Sequence, residues 1–262
     1  MERSTRGIDY QDVPRPVAVL MDEYPPGFVD PRHSHRRAQF IYASFGVMTV
    51  ITDAASFVVP PQRAVWMPGG VAHEVRCRNH VSVRTLYVET SARPDLPRTC
   101  RVIEVSELLR ALILVATTLP IEYDEEGREG RVMALILDEI ADSAAVPLNV
   151  PMPQHERLLR ICRSILANPG HADTLDEWAR IAAMGRRTFT RMFRRETGMS
   201  FAAWRQHVRL MEALSLLATG HPVTSVAYDV GYSSPSAFTA MFRRTFGAAP
   251  TQYFRHDAVP RD

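Results

Sequence analysis

Lysine is absent from the 262 residues, so all 31 basic side chains are arginines. This absence reads as biased genome composition rather than as chemistry. Cysteine is scarce as well. Cys77, Cys100 and Cys162 are odd in number, far apart and without a CxxC pair. That argues against a disulfide framework or a thiolate zinc site and fits a reducing, cytoplasmic setting. Long apolar runs are also missing: the longest, Ala111 to Ile121, is too short to span a bilayer, and the N-terminal stretch MERSTRGIDYQD lacks the apolar core of a signal peptide. A strong net charge is lacking too, but the balance of +2 conceals an asymmetry. Residues 153–262 carry 15 Arg against 9 acidic residues, a balance of +6; residues 1–152 carry 16 Arg against 20 acidic residues, a balance of −4. The basic half suits a polyanion and the acidic half does not.

From Val17 to Val105 short apolar or alternating segments are separated by turn residues. Val17–Met21, Gln39–Phe45, Val47–Thr52, Ser56–Val59, Ala64–Met67 and Val81–Val88 are predicted strands, punctuated by Pro25-Pro26-Gly27, Pro60-Pro61 and Pro68-Gly69-Gly70. Many short strands at this spacing imply a sandwich or barrel. After Val105 the period becomes helical. Ser106 is the expected N-cap of one helix, and Arg128–Ser143 is a second with Val132, Leu135, Ile136, Glu139 and Ile140 on one stripe. Both are apolar enough either to pack on the barrel or to form a dimer interface. Pro147-Leu-Asn-Val-Pro-Met-Pro153 reads as a semi-rigid linker. Beyond it the pattern is all helical: His155–Ala167, a helix opened by Thr174, a long helix at Trp204–Ala218, and two short basic helices.

Those two basic helices repeat one another. Phe189-Thr-Arg-Met-Phe-Arg-Arg-Glu-Thr-Gly198 returns 49 residues later as Phe238-Thr-Ala-Met-Phe-Arg-Arg-Thr-Phe-Gly247, with seven of ten positions identical. Two copies are too few for a solenoid. In the first, Phe189, Met192 and Phe193 fall on one face, and Arg187, Thr190, Arg191 and Arg194 on the other. A tight turn at Ala183-Met184-Gly185 precedes it. In the second, Phe238, Met241 and Phe242 face inward and Ser236, Thr239, Ala240 and Arg243 outward, after a turn at Gly231, with Ser234 as cap and Pro235 at the first helical position. An outward stripe of Arg and Thr suits the major groove, since Arg offers two donors to guanine O6 and N7. The bland alternative is a helical bundle with solvated arginines.

This pattern resembles the AraC/XylS family of bacterial transcription regulators. The matching runs are Arg191-Met-Phe-Arg-Arg-Glu-Thr-Gly198, Val226-Ala-Tyr-Asp-Val-Gly-Tyr-Ser-Ser-Pro-Ser-Ala-Phe238, Phe242-Arg-Arg and Gly247-Ala-Ala-Pro-Thr-Gln-Tyr253, within about Pro153 to Arg255. The resemblance implies two helix-turn-helix units joined by a long helix, with Arg187, Thr190 and Arg191 facing bases and Pro235, Ser236 and Ala240 in the matching second positions. The expected DNA-contacting set is Arg186, Arg187, Thr190, Arg191, Arg194, Arg195, Ser234, Pro235, Ser236, Thr239, Ala240, Arg243 and Arg244. Two departures stand out. Gly185 replaces the usual capping Ser or Thr. Ala240 sits where the second unit could have carried an arginine like Arg191, so that unit is expected to read sequence weakly and to hold phosphates mostly through Arg243 and Arg244.

The N-terminal segment Gly27-x5-His33-x-His35-x3-Gln39-x6-Gly46 resembles the first cupin motif, and Pro68-x-Gly70-x2-His73 part of the second. In metal-binding cupins these positions hold one divalent ion, which here implies His33, His35, Gln39 and His73. Residues 33, 35 and 39 share one parity and on an extended strand would face one side, with Ile41, Ala43 and Phe45. Three imidazoles suit Zn, Ni, Cu or Fe. Gln39, where the family has Glu, is a weaker ligand. A metal-free histidine pocket for an organic effector is the alternative. His80 and His155 read as ordinary surface or turn residues.

The expected fold is α+β in two domains: a cupin-like β-barrel sensor over 1–105, a helical, candidate dimerisation segment over 106–146, a linker over 147–154, and an all-α double helix-turn-helix domain over 155–262. The expected function is that of a cytoplasmic, sequence-specific DNA-binding transcription regulator. It is not an enzyme, it responds to a small molecule or metal, it has no membrane partner, and homodimerisation is an open option. The rival reading is a metal-dependent cupin enzyme with a DNA-binding appendage. It is weakened by Gln39 and by the lack of any sequence-visible acid or base beside the histidines.

Overall fold

A computed structural model describes residues 4–253. The tail 254–262, part of the expected DNA-binding domain, lies outside the described residues. The chain forms two compact units, Met1–Thr52 with Phe57–Leu148, and Asp53–Ser56 with Asn149–Asp262.

The first unit is a two-sheet β structure followed by helices. Its strands are β1 (Val17–Tyr24), β2 (Val29–His33), β3 (Ala38–Phe45), β4 (Met48–Thr52), β5 (Ala55–Val59), β6 (Arg63–Met67), β7 (His73–Cys77), β8 (Val81–Val88) and β9 (Arg101–Glu104), followed by α1 (Glu107–Ala116), α2 (Arg128–Asp142) and β10 (Ala145–Val146). One sheet runs β1-β8-β3-β6-β9-β10, and β4, β7 and β2 are neighbours in the other. All six segments expected as strands are strands. β2, β7 and β9 were not expected. β2 contains Pro31, is mostly exposed and lies at a sheet edge, where a residue without an N–H is tolerated but hides the strand signal. β7 alternates His73, Val75 and Cys77 inward with polar residues between, and β9 has only four residues.

The alternation of β3 assigns its two faces. Ala38, Phe40 and Tyr42 join Val17, Val19, Trp66, Leu86 and Val88 in a core completed by Leu109 and Ile113 of α1 and Met133, Ile136, Leu137 and Ile140 of α2. Gln39 and Ile41 turn the other way and line a cavity between the sheets. Most of the apolar helix surface is therefore consumed on the barrel. The α2 stripe centres on Met133, Ile136, Leu137 and Ile140, whereas Leu135 of the expected stripe is exposed. Phe45 is exposed as well, because the register with β8 slips between Ala43 and Phe45 and ends the alternation. Ser106 caps α1, its hydroxyl accepting from the Leu109 N–H.

A 3₁₀ turn at Gly7–Tyr10 precedes the barrel. The segment after it is held by the buried guanidinium of Arg37, which donates to the carbonyls of Gln11 (3.0 Å), Arg15 (3.0 Å) and Val13 and pairs with Glu89 at 2.9 Å.

The second unit is helical: β11 (Asn149–Pro151), α3 (Glu156–Ala167), α4 (Leu175–Ile181), α5 (Arg186–Thr197), α6 (Phe201–Ala218), α7 (Val223–Asp229), α8 (Pro235–Phe246) and α9 (Pro250–Tyr253). The stretch expected as a linker, 147–154, is largely packed rather than free. Leu148, Val150 and Met152 are buried, the Trp204 indole donates to the Pro151 carbonyl at 2.7 Å, and the His207 ring meets the Asn149 carbonyl at 2.8 Å.

Replacing Arg37 with Ala takes the guanidinium away from the Arg15 and Val13 carbonyls, while Glu89 and the Gln11 carbonyl keep Arg36. The expected loss is about 3 kcal/mol in urea denaturation; a loss under about 0.5 kcal/mol would mean that this arginine does not hold the N-terminal segment.

Candidate functional site

Two regions gather the chemistry, one in each unit. In the helical unit, Thr174 and Glu177 form a reciprocal cap that starts α4: the Glu177 N–H donates to the Thr174 hydroxyl at 3.3 Å, and the Glu177 carboxylate accepts from the Thr174 N–H at 2.6 Å. α4 buries Trp178 and Ala179, and Ala183 then takes a left-handed φ of +51° to reverse the chain. α5 follows. Phe189 and Phe193 are fully buried against Phe201 and Trp204 at ring distances of 5.0 and 5.6 Å. Burying each ring contributes about 1.5–3 kcal/mol, and this fixes the helix rotation.

The opposite face of α5 is left to solvent. Arg186, Arg187, Arg191, Arg194 and Arg195 are exposed. Arg186 pairs with Asp176 at 2.8 Å and Arg195 with Glu196 at 3.6 Å. Thr190 is half-buried, and its hydroxyl lies within bonding distance of the Arg186 and Arg187 carbonyls of its own helix. α8 repeats the arrangement with Phe238 and Phe242 fully buried, Ser236, Ala240, Arg243 and Arg244 exposed, and Pro235 and Thr239 half-buried. The Ser234 hydroxyl is taken up as the N-cap, accepting from the Ala237 N–H at 3.2 Å. Both helices end on a left-handed glycine, Gly198 and Gly247.

In the barrel, His33, His35 and His73 converge, with their ligand-capable nitrogens all within 4.8 Å of one another. The route differs from the one expected. Residues 33, 35 and 39 do not share a strand: His33 ends β2, His35 lies in the connection, and Gln39 belongs to β3 in the other sheet. His33 is instead paired across strands with His73. The Nδ1 atoms of His33 and His73 face the Pro31 and Val71 carbonyls at 2.7 and 3.0 Å, which makes them N–H donors and leaves each Nε2 a lone pair. Nε2 of His33 lies 3.0 Å from Nε2 of His35, and Nε2 of His73 is buried without a partner. Burial, then the neighbouring His33 and His73, push the His35 pKa down to about 4, and burial lowers that of His73. Both rings are therefore neutral near pH 7. Gln39 donates to the Tyr87 hydroxyl at 3.4 Å, and its Oε1 is a second buried acceptor without a partner. This donor set fits a divalent cation of the transition series: imidazole lone pairs and an amide oxygen left unpaired in a buried pocket.

The site opens into a cavity of about 400 Å³ lined by Leu20, Asp22, Phe28, Ile41 and Tyr87 among others. Sequence reasoning missed its carboxylates: Asp30 lies 3.6 Å from His33 Nδ1, and Asp22, whose pKa is raised by burial, lines the same space. It also missed the N-terminal wall. Gly7 sits so close to the Tyr87 hydroxyl that a Cβ would lie 2.3 Å from it. Tyr87 could have been found, since it shares the inward parity of Thr85 on β8. The segment of Gly7 has no periodicity to betray it.

Comparison with known proteins gives a consistent result. The helix-turn-helix domain model matches residues 178–256 and the cupin domain model residues 20–89. The HTH-type transcriptional regulator NimR of Escherichia coli (strain K12) is 34% identical over 223 residues, 85% of this chain and 81% of that protein. The HTH-type transcriptional regulator RipA of Corynebacterium glutamicum is 35% identical over 103 residues, 39% of this chain and 31% of that protein. Among solved structures, fatty-acid-bound ToxT from Vibrio cholerae aligns over 94% of this chain and 98% of its own at 12% identity and a TM-score of 0.39.

Gly185 begins α5 in extended backbone geometry with no side-chain cap and with open space around an added Cβ. Gly185→Ser is therefore expected to stabilise the helical unit by about 0.5–1 kcal/mol, read as a raised Tm; an unchanged or lowered Tm would contradict the open cap.

Proposed function

This chain belongs to the AraC family of HTH-type transcriptional regulators, and from that premise we propose that it reads promoter DNA with α5 and α8 laid in successive major grooves. The observation that carries the reading is the same in both helices: two buried phenylalanines on one side and exposed arginines on the other. The major groove admits an α-helix, and Arg can bond guanine O6 and N7 together. Arg187, Thr190 and Arg191 are assigned to bases. Pro235, Ser236 and Ala240 present fewer donors, so α8 contributes less sequence discrimination. Arg186, Arg194, Arg195, Arg243 and Arg244 are assigned to phosphates, with Ser234 and Thr239 at the margin of the contact.

The barrel is assigned to sensing. His33, His35 and His73, with Gln39 as a fourth and weaker donor, would hold a divalent transition metal, Zn, Ni, Cu or Fe. When bound, the metal would supply a fixed positive charge facing the cavity. The Pro31 carbonyl orients the His33 ring, with Asp30 as a nearby negative charge, and the Gln39–Tyr87 hydrogen bond aims the amide oxygen. A small molecule in the cavity would shift the population between arrangements of the regulator. The assignment as sensor and not enzyme is supported by the names of the relatives and by an amide at position 39. A catalytic reading is favoured by one observation, the carboxylates Asp22 and Asp30 beside the histidines. Turnover of small acids or diketones by metal-loaded protein would establish it. Among the described residues no helix is long and apolar enough to cross a membrane, which agrees with a cytoplasmic site of action. Leu108, Leu114 and Leu135, exposed on α1 and α2, are assigned to self-association, measurable by sedimentation.

Arg191→Ala is expected to cost about 1–3 kcal/mol in specific binding and to relax base preference at one position. Arg195→Ala or Arg244→Ala should weaken all sequences alike and flatten the salt dependence. Unchanged affinity and preference in the Arg191 variant would sink the groove assignment.

Zinc or cobalt should raise the Tm of the full chain, and His73→Ala should abolish that shift while leaving DNA affinity in the absence of metal intact. No shift in the wild type would refute the metal assignment.

A further inference from the structure

The two helix-turn-helix units meet at a node on α6. Each guanidinium nitrogen of Arg209 donates there once: Nε to the Pro169 carbonyl at 3.1 Å, Nη1 to that of Gly231 at 3.0 Å and Nη2 to that of His171 at 3.3 Å. One helical turn earlier, Arg205 donates to the Asp173 and His171 carbonyls at 2.7 and 2.6 Å. Residues 169–173 form the loop that delivers the chain into α4, and Gly231 is the turn between α7 and α8. The same two backbones touch directly. A Cβ on Gly170 would lie 2.6 Å from the Asp229 carbonyl oxygen. A Cβ on Gly231, at φ +82°, would lie 2.9 Å from Arg209 Nη2 and 3.1 Å from the Gly170 Cα. Only glycine permits this approach.

From this geometry we infer that Arg209 is a positioning residue that sets the half-site spacing the protein accepts. The inference rests on the proposal that α5 and α8 enter grooves of one duplex. A connecting helix fixes the distance between two units, and the packing of Phe189 and Phe193 on Phe201 and Trp204 seats the first of them on α6, but that ring contact does not itself set the rotation of the second unit relative to the first. α6 spans 18 residues, about 27 Å, and joins its neighbours through turns. DNA demands both quantities at once, because one base pair adds about 3.4 Å and turns the next groove by about 35°. Arg209 supplies the missing constraint. Its planar fork bonds the entry loop of the first unit and the turn of the second together, so that neither can rotate without breaking charge-assisted bonds. Arg205 braces the first loop from the adjacent position.

The test uses the full chain and a duplex selected by it from random sequence, then the same duplex with one base pair added or removed between the two protected half-sites. Wild type should lose about tenfold or more for either change, because one helix leaves its bases. Arg209→Ala should bind the original duplex more weakly and discriminate between spacings by less than about twofold. Its salt slope should equal that of wild type, since Arg209 contacts carbonyls and not phosphates. Arg209→Lys, with one donor group in place of a fork, should fall between. Gly170→Ala, which wedges the same contact apart with the arginine retained, should relax spacing too, and it decides the matter if Arg209→Ala fails to fold. Arg191→Ala, by contrast, should weaken binding and keep the spacing penalty. A folded Arg209→Ala protein with an undiminished penalty overturns the inference and leaves the groove assignment standing. A wild type indifferent to spacing overturns both.

Discussion

Burial of two phenylalanine rings per reading helix is the constraint on which the helical unit depends. Phe189 and Phe193, and again Phe238 and Phe242, lie i and i+4 apart and are fully enclosed. A helix has one rotation about its axis to give up, and these pairs take it. The positions between them then have no choice of direction, so a charged outer face follows from an apolar inner one. The outward direction of the arginines follows from the placing of the rings, and the pairs that Arg186 and Arg195 make with Asp176 and Glu196 lie on that outer face.

The barrel applies the same economy with a different period. On β3, Ala38, Phe40 and Tyr42 join the core that the helices complete, and Gln39 and Ile41 line the cavity. One strand thus separates a dry core from a polar chamber with no additional layer. The polar chamber has an electrostatic cost, visible in the lowered basicity of His35 and His73 and the raised pKa of Asp22. Groups whose pKa burial shifts in this way are more often found where a ligand binds than where a fold merely packs.

Much of this was legible from residues alone. The 49-residue repeat, the Phe and Arg stripes, the Thr174 and Ser234 caps and six strands were visible because each expresses a local period or a local hydrogen bond. Three of the four residues named for a metal do converge, but for another reason than parity, since the pairing that brings His33 to His73 joins β2 to β7 across sequence. Contacts of that kind leave no local trace. The same holds for Arg205 and Arg209, which on α6 look like solvated cations until the loops they hold are placed beside them. Phe45 shows the opposite failure: alternation was correct up to the bulge and wrong after it. The packed stretch at 147–154 shows that a proline-rich composition can describe a strand that hugs its neighbour as well as one that swings.

Thr190 carries a consequence for epigenetic marks. Its hydroxyl is engaged by the carbonyls of its own helix, so on the proposed docking its remaining offer to a base is chiefly a methyl group. Thymine displays a methyl in the major groove and cytosine does not. Enzymatic methylation of cytosine at C5 places the same group at the same point, so a modified C·G pair beneath Thr190 would pass in part for T·A.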